Sequence, residues 1–335
     1  MVLQRPYCIL IRHKLFIPEV KRMKRIFIFL LFTATSSCTS AIDITGYPAQ
    51  KIAAHTYVIH GPLGYPTVEN KGFMNNPGFI VTDSGVVVID PGSSTLSGQM
   101  VLSQIRKITN KPVTHVLSTH IHGDHWLGNQ AFSEAYPKAV LMAHPKMIKQ
   151  AKGGEAESWL KTMASLTKGI TKDTKAIIPD KAINDRYQFK TGGMTFKIFA
   201  PDKAHSGTDV MIQVVEDSVV FLGDNVLNGR IARMDDATFR GSINACDVAI
   251  SIAAKHYVPG HGQTSDVKMV AQYKDYLSIL YKQVAHYYDK GMSDFEMKPR
   301  VVHELKAFHN WVGFEIEVGR HLNLAMLEVE AAMFE

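Results

Sequence analysis

The chain has 335 residues, 46% of them hydrophobic and 20% charged, a balance that fits a folded globular protein and excludes collagenous, disordered and low-complexity classes. Of its 37 basic and 31 acidic side chains, seven and one fall in the first 25 residues, so the remainder balances at 30 of each. The formal charge of +6 therefore belongs to Arg5, Arg12, Lys14, Lys21, Arg22, Lys24 and Arg25 against Glu19, and the body has no global field to draw phosphates; no nucleic-acid partner is expected.

Residues 20–41 have the layout of an export signal. Lys21, Arg22, Lys24 and Arg25 precede an apolar stretch at 26–32, and small residues follow through Ser36, Ser37, Thr39, Ser40 and Ala41. The apolar stretch is too short to span a bilayer as a mature helix. Met23 can serve as the true start, which makes residues 1–41 a leader with a signal peptide. Cleavage after Ala41, or lipid modification of Cys38, leaves an exported, periplasmic protein whose only membrane tie is that leader or lipid. After the Ala41 cut Cys246 is the sole cysteine, so no internal disulfide can form.

Short apolar runs then alternate with helical patterns. Strands are predicted at residues 56–60, 78–82 and 86–90, the last two joined by the tight turn Asp83-Ser84-Gly85. A helix is predicted at 97–109, a strand at 113–118 and a helix at 126–134. Residues 145–180 read as a polar, mostly helical surface excursion. Further strands are predicted at 141–143, 187–189, 195–200, 210–216, 218–222 and 256–258. Two groups of strands with helices between them predict an α/β sandwich, two packed sheets with helices outside. From 267 to 335 the pattern is mainly helical, with one break near 291–299. The expected organisation is a leader (1–41), a catalytic domain (42–265) and a helical extension (266–335) packed on it.

The segment Ser118-Thr119-His120-Ile121-His122-Gly123-Asp124-His125 places four potential metal ligands within six residues, directly after a predicted strand. Imidazole nitrogen and carboxylate oxygen are the donors expected of zinc in catalytic sites. In extended chain His120 and His122 point the same way, while Asp124 and His125 can turn toward a second ion. His205, Asp224 and His261 each follow a predicted strand, so strand ends along one sandwich edge can gather all seven.

This pattern, HxHxDH, resembles the signature of the metallo-β-lactamase superfamily. The resemblance continues through His205 in Ala204-His205-Ser206-Gly207, Asp224 in Leu222-Gly223-Asp224-Asn225, His261 in Pro259-Gly260-His261-Gly262 and Asp90 in Ile89-Asp90-Pro91-Gly92. It implies a four-layer αββα fold and two zinc ions, with iron and manganese left open by ligand type. His120, His122 and His205 would hold the first ion, Asp124, His125 and His261 the second, with Asp224 as the bridge. Asp90 would support the ligands by hydrogen bonds. The implied activity is zinc-dependent hydrolysis of an amide, lactam or (thio)ester bond in a small-molecule substrate by a metal-held hydroxide, with Asp124 as the catalytic carboxylate. The family's oxygen-reducing di-iron branch usually has glutamate where this chain has His122, which favours hydrolysis.

The substrate is less legible. Many β-lactamases of the family carry a lysine three residues after the Asp224 position, where this chain has Leu227, leaving Arg230 or Arg233 to meet a substrate carboxylate. A glyoxalase-II-like thioesterase and a non-catalytic zinc-binding or partner protein are the alternatives, and the stretch 119–129 also resembles exported members found beside sulfur-oxidation or quinoprotein systems. The glycine- and proline-rich segment 60–77, with Tyr65, Phe73 and Met74, is expected to rim the site.

Overall fold

Residues 46–334 are described in a computed structural model; the signal pattern and Cys38 lie outside them. Twelve strands lie among the described residues: β1 (Gln50–Lys51), β2 (Thr56–Val58), β3 (Gly78–Thr82), β4 (Gly85–Ile89), β5 (Val113–Leu117), β6 (Val140–Ala143), β7 (Lys181–Ala182), β8 (Gln188–Thr191), β9 (Met194–Phe199), β10 (Met211–Val214), β11 (Val219–Phe221) and β12 (His256–Val258). The helices are α1 (Thr95–Ile108), α2 (Gly123–Trp126), α3 (Asn129–Ala135), α4 (Pro145–Gln150), α5 (Ala156–Leu166), α6 (Phe239–Ser251), α7 (Val267–Tyr288), α8 (Asp294–Glu304) and α9 (Phe314–Ala332).

The strands make two sheets, ordered β1-β2-β3-β4-β5-β6-β7 and β12-β11-β10-β9-β8. Strands buried on both faces explain why β4 reads Gly-Val-Val-Val-Ile without a polar residue. Val87 and Ile89 face the second sheet, with Ile80, Leu117, Phe196, Ile212 and Phe221. Val86 and Val88 face the opposite way, onto Val101 and Ile105 of α1 and Phe132 of α3. The second sheet repeats the arrangement: Val219 and Phe221 point inward, while Val220 and Leu222 meet α6 and α7. The result is the four-layer αββα sandwich with a helical C-terminal region.

Strand direction sets where the chemistry falls. β4, β5 and β6 run parallel, so their C-terminal ends share one edge. In the second sheet β11 pairs parallel with β12, and β10 is antiparallel to both β9 and β11, so β9, β11 and β12 also end on one edge. Asp90 and the His120–His125 run follow β4 and β5; His205, Asp224 and His261 follow β9, β11 and β12.

Four local expectations change. The single helix predicted at 126–134 is two short helices, because Gly128 donates its N–H to Gly92 O (2.8 Å) and a Cβ there would strike the Pro91 carbonyl. The C-terminal region breaks twice rather than once: at 289–293, after which Ser293 and Glu296 form a capping box that starts α8 with Pro299 inside that helix, and again at 305–313, where Gly313 takes φ 87° ahead of α9. The helix α6 has no counterpart among the predicted elements. The segment from Pro145 is no mere surface excursion, since Trp159 and Met163 of α5 reach the metal-ligand cavity.

Candidate metal centre

The seven expected ligands converge at the shared edge. Two groups of donor atoms form, His120, His122, His205 and Asp224 in one, and Asp124, His125 and His261 in the other, each within 4.8 Å internally. Asp224 touches both groups, with Oδ2 3.6 Å from His205 Nε2 and 3.4 Å from His261 Nε2, and Oδ1 3.2 Å from His125 Nε2. Asp124 Oδ2 stands 3.2 Å from His261 Nε2 and 3.5 Å from His125 Nε2. Donors about 2.0–2.1 Å from a tetrahedral ion lie about 3.3 Å apart, so these spacings fit metal coordination.

The hydrogen bonds on the far side of each ring fix which nitrogen is free. His125 Nδ1 donates to Asp90 Oδ2 at 2.8 Å, and His261 Nδ1 donates to the Met74 carbonyl at 2.8 Å, so each turns a bare Nε2 inward. Thr119 Oγ1 donates to Asp90 Oδ2 (2.8 Å) and so accepts from His120 Nδ1 (3.0 Å), which again leaves Nε2 bare. His122 is reversed: Nε2 faces Asp236 at 3.2 Å, and Nδ1 lies 2.9 Å from His205 Nε2. His120 Nε2 and Asp224 Oδ1 are buried with no hydrogen-bond partner. Buried polar atoms without partners are costly, and a bound cation would satisfy both. The residues present fit a pair of metal ions.

Charge tells the same story. Burial would raise the pKa of Asp124, but His125 and His261 outweigh it and hold the carboxyl below its usual range; Asp224 is likewise held well below its usual range by His261 and His125. Burial would depress His125, yet Asp224, Asp124 and Asp90 lift it well above the ordinary histidine value. On the other side burial, then His122, pushes His205 down to about 3, while burial and the neighbouring rings His125 and His122 depress His120. Carboxylates kept ionised by His125 and His261, beside His120 and His205 held neutral by burial, make a cluster whose charge a bound cation would satisfy.

Local backbone supports this placement. Asp90 takes φ 51°, a left-handed conformation that aspartate tolerates better than most residues, and its carboxylate also accepts the Thr119 N–H at 2.8 Å. A Cβ on Gly260 would collide with Asp224, so only glycine lets the β12 turn pass beneath that carboxylate.

A cavity of about 410 Å³ opens over the ligands. Its apolar walls come from Tyr65 and Met74 of the 60–77 loop, Trp159 and Met163 of α5, and Leu227. The Trp159 ring packs 5.1 Å from that of His122. Phe73, expected at the rim, is buried in the outer core instead. Arg230 lines the cavity, is 6% exposed, lies over the Tyr65 ring at 5.3 Å, and has no carboxylate within ion-pair distance among the described residues. Arg233 is more exposed and pairs with Asp235 at 2.8 Å. His115 is a half-buried strand residue packed on Phe189, away from the ligands. Sequence reasoning missed Thr119, Asp236, the Met74 carbonyl and Trp159; of these only Thr119, inside the motif, carried a signal.

The fold and the site define an αββα protein with a histidine–aspartate cluster at its strand ends that is compatible with a metal site. The sequence signature of the metallo-β-lactamase superfamily matches residues 70–261, and the chain belongs to that superfamily. It is 28% identical over 201 residues to a probable metallo-hydrolase of Streptococcus pyogenes serotype M6, covering 57% of this chain and 81% of that one. It is 25% identical over 230 residues to metallo-β-lactamase IND-1 of Chryseobacterium indologenes, covering 68% and 82%. A metallo-β-lactamase structure from Pontibacter korlensis shares the fold with TM-score 0.57 at 18% identity, over 69% of this chain and 99% of that one.

Proposed function

We propose that the protein is an exported zinc hydrolase that opens an amide, lactam or (thio)ester bond in a small molecule with an apolar body and an anionic group. The observation that carries the reading is the pair of donor groups sharing Asp224 beneath an open cavity. Zinc held there would supply Lewis acidity and lower the pKa of a bound water from ~15.7 to about 7.

The chain's own residues supply the rest. Asp124, held ionised, can take a proton on its carboxylate and pass it to the leaving group. Trp159, Met163 and Leu227 exclude water from the substrate's body. Arg230 suits an anionic substituent better than Arg233, because it is buried with no carboxylate partner among the described residues while Arg233 is bound to Asp235. Asp90 orients ligands and touches no substrate.

A glyoxalase-II-like thioesterase is the second reading, favoured by a carboxylate, Asp224, between the two groups and by Leu227 in place of the lactam-binding lysine. A purely structural metal site is disfavoured, since such sites are closed by protein ligands rather than open to a cavity. Export rests on the leader pattern of residues 20–41 alone.

The test is a panel of chromogenic lactams, esters and thioesters assayed on protein purified without chelator. Turnover that chelator abolishes and zinc restores is the expected result. A fully metallated protein inert on every member would overturn the hydrolase reading.

A further inference from the structure

The stretch of chain from 229 to 236, which walls the cavity with Arg230, Ala232, Arg233, Asp235 and Asp236, lacks strand partners in either sheet. Its backbone is held instead by the C-terminal helical region, beyond the part of the chain that the family signature matches. Ile231 N–H donates to Val312 O (2.9 Å), and Val312 N–H donates to Gly229 O (3.0 Å). At Ala232 the carbonyl accepts from His321 Nε2 of α9 at 2.9 Å, and His321 Nδ1 accepts from the Tyr276 hydroxyl of α7 at 2.7 Å. Both side chains are fully buried.

The imidazole is therefore a neutral relay between two helices and the cavity wall. Burial holds its pKa down to about 4, which keeps Nε2–H as donor and Nδ1 as acceptor. Around it Phe239, Phe314, Val318 and Leu322 form one apolar cluster with Ile231 and Ala232. Arg320 adds two contacts of 3.4 Å to Asp235, but these are exposed and contribute little. The stretch matters to the site at both ends: Arg230 Nη1 lies 3.3 Å from His261 Nδ1, and Asp236 orients His122.

We infer that His321 is a positioning residue for the cavity wall: through the Ala232 carbonyl it fixes residues 229–236 against α9, making the C-terminal helices part of the substrate-binding machinery. This holds whatever bond the site cleaves, and its test needs no substrate, so it stands or falls apart from the function proposed above.

The experiment compares metal-loaded full-length His321→Phe and His321→Gln with the parent protein by amide hydrogen exchange. Losing the donor and leaving the Ala232 carbonyl and the Tyr276 hydroxyl unpaired should speed exchange at residues 231–236 by about tenfold or more. Exchange at the core strand β4 should be unchanged, and His321→Gln, whose amide can reach the carbonyl, should restore most of the protection. Where a substrate has been found, His321→Phe should raise KM several-fold with kcat within about twofold. Tyr276→Phe is the milder companion should His321→Phe not fold, and it should loosen the same stretch to a smaller degree. Unchanged protection at 231–236, or a loss spread evenly over α7, α9 and the core strands without rescue by glutamine, would overturn the inference.

Discussion

Asp90 and Asp124 stand on opposite sides of the His125 ring and take different positions in the candidate metal site. Asp90 accepts from His125, from the Thr119 amide and from the Thr119 hydroxyl that in turn receives His120, so one side chain sets imidazoles in both donor groups. Asp124 faces the cavity and contacts His125 and His261. Asp90→Asn should weaken metal binding by about 10–100-fold, read by competition with a chelator, because the amide cannot accept from every donor. Asp124→Asn at full metal occupancy should instead lower kcat by about 10²–10⁴-fold. His115→Asn, on the strand leading to the motif but outside the site, should do neither; near-parent turnover by metallated Asp124→Asn would reduce that residue to scaffolding. The ligands were legible in sequence because four fall within six residues and the rest follow in order behind strands. The supports were not: a backbone carbonyl at Met74 has no residue signature, and Asp236 lies 114 positions from His122.

Among the elements, β-strands were read well and small-residue helices poorly. Strands such as β4 and β5 advertise themselves by apolar runs bounded by turns. The buried face of α6 consists of Phe239, Ser242, Ala245, Cys246 and Ala249, mostly side chains too small to produce an apolar stripe, so it went unseen. The α4–α5 region looked like surface because its polar residues dominate, yet Met147, Ala156 and Met163 pack with Trp126 and Leu127 beneath the motif. Two tryptophans separate stability from recognition here. Trp126 is fully buried and donates to the Ile121 carbonyl at 2.7 Å, so Trp126→Ala should cost about 3–5 kcal/mol in denaturant unfolding. Trp159→Ala, at the cavity, should leave stability nearly unchanged while raising KM. The reverse ranking of the two variants would contradict this division.

At the scale of the molecule, strand direction brings the seven candidate ligands together, with no disulfide among the described residues. Cys246 is buried, and burial pushes its thiol up to about 12, which makes it an inert core residue. Sequence pattern was enough to predict two sheets between helices, since runs apolar on both faces demand cover on both sides. It could not give the strand order or reveal that residues 229–236 are held by α9, because the His321–Ala232 contact joins positions 89 residues apart. We propose that these residues would hold two metal ions, with Asp224 shared between them. Metal analysis of protein purified without chelator tests it most directly, alongside Asp224→Ala and His261→Ala. About two zinc ions per chain are expected, falling to one or fewer in both variants. One ion per chain, unchanged by either substitution, would contradict the dinuclear centre.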